Sequence, residues 1–283
     1  MKVTVLGIDG LDYNIVEELN LVNLKQAVYG KLSIPDECYR VLARGGRSPW
    51  TPLCWLSILT GDVPPKKYQM TRNIQFDNQL LESLRWRLGG MLRFVKGKRK
   101  ILWKLGFKPS RATTALKQEP LSKDIGCFFD LVEKGVDFNV PTYSDNYKLK
   151  PPKKLMSWKD LLPYVEEEDQ LMKRYVTSII GSGADYDLFM AYTRLLDHYG
   201  HQMYRTEQFY YRYRMMDLFV REVSKMIVGM LLIVSDHGIR SLPSTTTGGE
   251  HSDHAFYSMN VPLDVPMNSL TDVYNAVKKA LQT

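Results

Sequence analysis

The chain is poor in cysteine and has no long hydrophobic run. Its three cysteines, Cys38, Cys54 and Cys127, are widely spaced, which excludes a disulfide framework and the Cys-x-x-Cys pairs of many zinc sites. No apolar stretch approaches the roughly 20 residues that cross a bilayer, and Met1-Lys2 leads straight into a strand-like segment without a signal-peptide pattern. We therefore expect a cytoplasmic protein in which Asp and His hold any bound metal.

Acidic residues are missing from one segment of the chain. Between Ser83 and Gln118 there are eleven Lys or Arg and no Asp or Glu, whereas the rest of the chain has a small excess of acidic residues. The basic residues alternate with apolar and aromatic ones, as in amphipathic helices. We expect one domain over residues 1–283 that carries a basic helical insertion or cap at residues 72–120.

Three uses of this insertion stay open. It can cap an active site, it can contact an anionic membrane surface through residues 83–118, or, as the less favoured use, it can contact nucleic acid. The second use would make the protein peripheral to a membrane. A pair of solvated helices without a ligand is the plain alternative.

Apolar runs and amphipathic stretches alternate along the rest of the chain. This repeated order of helix and strand indicates parallel pairing and a layered α/β fold. The predicted strands cover residues 2–8, 31–34, 136–140, 187–192 and 230–235. The predicted helices cover residues 14–27, 53–59, 124–134, 161–180, 207–227 and 271–281.

Residues of metal-ligand type follow three of the predicted strands. Asp9 follows the first strand, and Asp236 with His237 follows the strand at 230–235. Asp197 and His201 are four residues apart after another strand, so a helix would place both side chains on one face. Open α/β folds bind ligands at the carboxyl ends of their strands. These residues are therefore candidates for a metal site, although any one motif alone is more often incidental.

Two further segments join this set of candidates. Thr51 followed by Pro52 is the pattern of a helix N-cap with proline at the first helical position, where the helix dipole favours a phosphate. An ordinary structural cap has the same pattern. A glycine-containing segment that we expect to form a loop, residues 245–256, carries His251 and His254, so that all five histidines lie at or near these places.

Taken together, these motifs resemble the alkaline phosphatase superfamily, in its type I phosphodiesterase/nucleotide pyrophosphatase branch. The resemblance implies a three-layer α/β sandwich with a mostly parallel central sheet. It covers nearly the whole chain except the basic insertion. The matching segments, in family order, are residues 7–10, 51–61, 139–143, 196–201, 235–238 and 249–251.

The resemblance also implies two divalent metal ions, usually zinc, with manganese as the alternative. Thr51 is then the nucleophile, and a phospho-threonine intermediate forms during hydrolysis of a small phosphodiester or nucleotide. His254 is a candidate for a supporting or substrate contact, and Asn73 for a contact with the phosphoryl oxygens. The implied ligands are Asp9, Asp236, His237 and Thr51 for one ion, and Asp197, His201 and His251 for the other.

Other functions stay open beside this one. The second hypothesis is a membrane-surface protein that processes or transfers phospholipid head groups. A phosphomonoesterase or an enzyme like phosphoglycerate mutase is a further alternative, and a binding protein without activity is another. Whether His251 or His254 is the last metal ligand also stays open at this point.

Overall fold

A computed structural model describes residues 1–41, 46–64, 125–144, 158–242 and 248–283. The predicted basic insertion, with Asn73, lies outside these residues. The predicted domain boundaries, the membrane contact and the cytoplasmic location therefore stay predictions. No helix in the described ranges is long and apolar enough to cross a membrane.

One six-stranded sheet forms the centre of the molecule. Its strand order is β2-β10-β7-β1-β6-β5, and β1, β5, β6 and β7 run parallel, whereas β10 is antiparallel to both of its neighbours. The remaining strands form two hairpins, β3 with β4 and β8 with β9. The strands are β1 (Val3–Ile8), β2 (Val28–Ser33), β3 (Tyr39–Val41), β4 (Arg47–Pro49), β5 (Gly135–Phe138), β6 (Leu188–Thr193), β7 (Met230–Val234), β8 (Ile239–Ser241), β9 (Gly249–His251) and β10 (His254–Met259).

Helices cover both faces of this sheet. They are α1 (Tyr13–Glu18), α2 (Val22–Lys25), α3 (Thr51–Thr60), α4 (Trp158–Gly181), α5 (Leu195–Met203), α6 (Glu207–Ser224) and α7 (Asp272–Gln282). Strand β7 shows why two layers form: Leu231 and Ile233 pack against the core with α4, α5 and α6, whereas Leu232 and Val234 pack against the core with α3 and α7. A strand that is buried on both faces needs this uninterrupted apolar run. The predicted α/β sandwich with a mostly parallel sheet is confirmed.

Two predicted helices differ from the observed ones. The helix predicted at residues 14–27 is split into α1 and α2, because Asn20 between them takes a positive φ of 48°, which ends a right-handed helix. At residues 124–134 the described part contains only a short 3-10 helix, Phe128–Leu131. Its start is closed locally, since the Cys127 N–H donates to Asp130 Oδ2 at 2.7 Å.

The segment predicted as a histidine-bearing loop, residues 245–256, contains strand β9 and the start of strand β10. β10 lies between β2 and β7 and runs antiparallel to both, so its backbone bonds come from chain segments more than twenty residues away. Local sequence does not contain this information, because tertiary pairing overrides strand propensity. The predicted loop was wrong for these residues.

Candidate metal centre

Three neighbouring parallel strands end at the same edge of the sheet. Asp9 directly follows β1, Asp236 and His237 follow β7 after one serine, and Asp197 lies in the first turn of α5, just after β6. The paired strand ends are Ile8 with Thr193 and Gly7 with Val234. The sheet therefore brings the carboxylates together from three distant parts of the sequence.

Gly10 allows the start of α5 to lie close against the chain that follows β1. It has a positive φ of 73°, and a Cβ at this position would lie 2.6 Å from the Cα of Asp197. The Asp197 N–H donates to the Asp9 carbonyl at 3.1 Å, which ties the start of α5 to the end of β1. Only glycine satisfies both the backbone angle and the close contact.

His237 is the centre of the first group of side chains. Its Nε2 lies 3.4 Å from Asp9 Oδ1, 3.3 Å from Asp236 Oδ2 and 3.1 Å from Thr51 Oγ1. Asp9, Asp236 and His237 are buried. These are the four residues that the family resemblance assigns to one ion.

The second group lies next to the first. Asp197 Oδ1 is 3.2 Å from His201 Nε2 and 3.4 Å from His251 Nε2, and the two histidine nitrogens are 2.9 Å apart. Asp197 and His201 lie on one face of α5, as their spacing predicted. The rings of His237 and His251 stack with centroids 3.6 Å apart, so the two groups adjoin. Ligand atoms of Asp9, Asp197 and His237 also lie within 4.8 Å of one another.

Each of the three histidines in these groups has its Nδ1 against a backbone carbonyl. A carbonyl only accepts hydrogen bonds, so the proton of a neutral ring must be on Nδ1. The lone pair of Nε2 then faces the centre of each group, in the form that binds a metal ion. The contacts are His201 to Gly249 at 2.9 Å, His237 to Gly238 at 3.2 Å and His251 to Pro49 at 2.9 Å.

The geometry of these atoms fits divalent cations. Around a tetrahedral zinc ion with bonds of about 2.0–2.1 Å, neighbouring ligand atoms lie about 3.3 Å apart, close to the separations in both groups. Several buried carboxylate oxygens have no hydrogen-bond partner in the described part of the chain, where such oxygens are normally paired. These atoms are Asp9 Oδ1, Asp197 Oδ1 and both oxygens of Asp236.

The electrostatics of the carboxylates lead to the same conclusion. Burial and the negative charge of Asp197 raise the pKa of Asp9 to about 6. Burial and the charge of Asp9 raise the pKa of Asp236 well above its usual range. Burial also opposes the charge on Asp197, but His201 and His251 hold the pKa of Asp197 well below its usual range. Asp9 and Asp236 thus lack positive charge nearby, and bound cations would supply it.

The histidines of the two groups have opposite shifts. Burial lowers the pKa of His201, but Asp197 outweighs it and raises that pKa to about 9. Burial and the nearby charge of His251 lower the pKa of His237 well below its usual range. His237 is thus uncharged and ready to bind a cation, whereas His201 must lose a proton before it binds one.

Thr51 does not cap its helix as the sequence predicted. The N-cap of α3 is Trp50, Thr51 is the first helical residue, and its hydroxyl faces His237 instead of the helix backbone. The first turn also has few free N–H groups, because Pro52 has none and the N–H groups of Leu53 and Cys54 both donate to the Trp50 carbonyl. A ligand at this end of the helix would therefore interact mainly with the helix dipole and the Thr51 hydroxyl, and less with backbone N–H groups.

His254 lies apart from both groups. Its Nε2 is 3.4 Å from Asp12 Oδ2, and Asp12 caps helix α1 through its other oxygen. Of the two histidines that the sequence left open, only His251 contacts Asp197. The role of His254 as a supporting or substrate contact stays a prediction.

Sequence reasoning missed two residues at this site. The Tyr192 hydroxyl donates to Asp9 Oδ2 at 2.6 Å, yet in the sequence Tyr192 is one more apolar residue of a strand. Arg40, on the hairpin before Thr51, is half-buried, and its buried Nε has no hydrogen-bond partner among the described residues. Burial lowers the pKa of Arg40, and the carboxylate of Asp197 opposes that shift. The position of Tyr192, a residue with a polar hydroxyl near the carboxyl end of a strand, was the one feature of the sequence that could have indicated its place at the site.

Comparison with solved structures finds matches at low sequence identity. Murine ectonucleotide pyrophosphatase/phosphodiesterase 5 is 14% identical, with a TM-score of 0.43 over 84% of this chain and 57% of that one. Phosphonoacetate hydrolase from Sinorhizobium meliloti 1021, in complex with phosphonoformate, is 11% identical, with a TM-score of 0.41 over 85% and 57%. The PH0037 protein from Pyrococcus horikoshii is 10% identical, with a TM-score of 0.44 over 98% and 90%. The chain thus spans less than two thirds of the first two proteins.

No curated protein matches the chain. A family model does match: the model of type I phosphodiesterase/nucleotide pyrophosphatase covers residues 3–267. This range includes every candidate ligand and Thr51. The chain therefore belongs to the type I phosphodiesterase/nucleotide pyrophosphatase family.

Proposed function

We propose that the protein is a metal-dependent phosphodiesterase that acts on a small phosphodiester or nucleotide. The observation that carries this proposal is the position of Thr51. Its hydroxyl lies among carboxylates and imidazoles, 3.1 Å from His237 Nε2. An alcohol in such surroundings suits nucleophilic catalysis better than simple metal storage.

The residues divide into two ligand sets. Asp9, Asp236 and His237, with the Thr51 oxygen, would hold one divalent cation, and zinc accepts this combination of nitrogen and oxygen ligands. The three ligands of the second set would leave one position open for substrate or water. That set is Asp197, His201 and His251. When bound, the cations lower the pKa of a coordinated alcohol or water and offset phosphoryl charge.

The chain's own residues then carry the reaction. Thr51 Oγ1 attacks phosphorus in line, so that the Thr51 O–P bond forms while the P–O bond to the leaving alcohol breaks. The product of this step is a phospho-threonine whose phosphorus still carries the substrate's second ester group. Water then attacks the same phosphorus, the Thr51 O–P bond breaks, and the threonine hydroxyl is restored. The positive end of the α3 dipole favours the negative phosphoryl oxygens throughout.

Arg40 is our candidate for the group that binds the non-reacting part of the substrate's charge. It lies on β3, opposite Ser48 of β4, and the next residue of β4, Pro49, holds His251 through its carbonyl. No ion pair of Arg40 is present among the described residues, and Asp197 is the acidic side chain that acts on its pKa. A guanidinium whose Nε has no hydrogen-bond partner among the described residues, beside an acidic site, suits phosphate recognition.

Hydrolysis of bis-p-nitrophenyl phosphate beside p-nitrophenyl phosphate tests this function. The protein is stripped of metal, assayed, and assayed again after zinc or manganese is restored, with Thr51→Ala as the control. We expect metal-dependent cleavage of the diester that the variant loses. A preference for the monoester would indicate a phosphatase or mutase-like enzyme instead, and no turnover by the metal-loaded protein would overturn the proposal for these esters.

A further inference from the structure

Asp9 uses its two carboxylate oxygens differently. Oδ2 accepts a hydrogen bond of 2.6 Å from the Tyr192 hydroxyl. Oδ1 has no hydrogen-bond partner in the described ranges, and it is the oxygen that lies 3.4 Å from His237 Nε2. Asp9 and Tyr192 are each 3% exposed, so water is largely excluded from this bond. The bond thus fixes which oxygen faces the ligand cluster.

Tyr192 is itself held by an aromatic contact. The ring of Trp55 meets it edge-on, with centroids 5.3 Å apart and an interplanar angle of 85°. Trp55 is fully buried and lies over Gly7 of β1, where a Cβ would be 2.7 Å from the indole Cη2. Such an edge-to-face contact favours one ring orientation in addition to the effect of burial. The Tyr192 hydroxyl is therefore aimed at Asp9 by its packing.

The same contact connects Asp9 to the proposed nucleophile. Trp55 is four residues after Thr51 in α3, so the two side chains lie on the same face of that helix. A continuous path of contacts thus leads from Asp9 through Tyr192 and Trp55 to the helix that carries Thr51. A shift of α3 would move both the hydroxyl of Thr51 and the support of Asp9.

We propose that Tyr192, held by Trp55, is a positioning residue that makes Asp9 a ligand through Oδ1 alone. This inference rests on the proposed function, because it concerns the cation that Asp9 would bind. Without the Tyr192 bond, the Asp9 carboxylate is free to rotate and to offer both oxygens. Supporting hydrogen bonds of this kind contribute about 10–100-fold to metal affinity in other proteins.

The test compares two tyrosine variants of the full chain. Tyr192→Phe removes the bond to Asp9. Tyr186→Phe is the matched control, because the Tyr186 hydroxyl is equally buried and bonds to Thr4 Oγ1 at 2.9 Å, away from the ligand groups. Zinc affinity is measured by competition with a chromophoric chelator, cobalt coordination by visible absorption, and stability by thermal unfolding of the metal-free proteins.

Each result has a defined meaning. We expect Tyr192→Phe to bind zinc about 10–100-fold more weakly than Tyr186→Phe, with a cobalt spectrum that shows a higher coordination number, at similar metal-free stability. Trp55→Phe, which keeps the Tyr192 hydroxyl, should show a smaller loss of affinity. Equal affinities and cobalt spectra in the two tyrosine variants would overturn the positioning role alone. A wild-type protein that binds no zinc or cobalt would overturn the proposed function with it.

Discussion

The hydroxyl oxygen of Thr51 lies 3.1 Å from Nε2 of His237, although the two residues are 186 positions apart in the chain. Helix α3 begins at Thr51, and His237 follows β7 in the central sheet. The contact therefore joins a helix terminus on one face of the sheet to the carboxyl edge of the sheet itself. It is also the contact that sets the proposed nucleophile among the proposed ligands.

Replacement of Thr51 tests the covalent route. Thr51→Ala removes the attacking oxygen, and we expect diester hydrolysis to fall on the order of 10³-fold or more. Thr51→Ser keeps an alcohol at this position and should keep activity. After acid quenching, mass spectrometry should find on Thr51 of the wild type a phosphoryl group that still carries the remaining ester of the substrate. Full activity of Thr51→Ala would exclude the covalent route.

The two loop histidines should differ in their effect on metal content. His251 contacts Asp197 and His201, whereas His254 contacts Asp12. We therefore expect His251→Ala to reduce the zinc content of the purified protein from two ions to one, and His254→Ala to leave it at two. Elemental analysis of dialysed protein gives these values. The reverse result would make His254 the ligand.

The close approach at Gly10 should be visible in folding stability. Both Gly10 and Gly183 have positive φ, but a Cβ at position 183 meets no atom within 4 Å. Gly183→Ala should therefore cost only the backbone strain, about 1–2 kcal/mol. Gly10→Ala adds the clash with Asp197 and should cost a further ~1–3 kcal/mol. Urea unfolding measures both, and equal losses would contradict the contact.

Replacement of Arg40 should weaken substrate binding more than replacement of Arg47, which lies on the same hairpin. A hydrogen bond to a charged group contributes about 1.5–3 kcal/mol, so Arg40→Gln should raise KM for the diester roughly tenfold or more. Arg47→Gln makes the same change in charge, but Arg47 is exposed and pairs with Asp36 at 3.1 Å, so KM should stay near the wild-type value. Equal KM values for the two variants would show that Arg40 does not bind the substrate.

Several parts of this arrangement follow from local sequence. The apolar run of β7 ends at Ser235, and a parallel strand that is buried on both faces needs such a run. The four-residue spacing of Asp197 and His201 predicts their common face once α5 is helical. Features that depend on periodicity and on strand ends can therefore be predicted from the amino-acid sequence alone.

Other parts depend on contacts between distant segments. β10 is a strand because β2 and β7 flank it, and Tyr192 supports Asp9 because β6 lies beside β1. The Thr51 hydroxyl faces His237 and not the backbone of its own helix. The hairpin of β3 and β4 directly precedes Thr51 and places it at the edge of the sheet. None of these partners is encoded in the neighbouring residues, and pattern reasoning could not supply them.

We propose that seven residues form a centre for two cations. Crystals of the zinc-loaded protein, measured with X-rays above and below the zinc absorption edge, test it most directly. We predict two anomalous peaks, one among Asp9, Thr51, Asp236 and His237, and one among Asp197, His201 and His251. Zinc-loaded crystals with no peak at these side chains, or with a single peak, would contradict the two-metal centre.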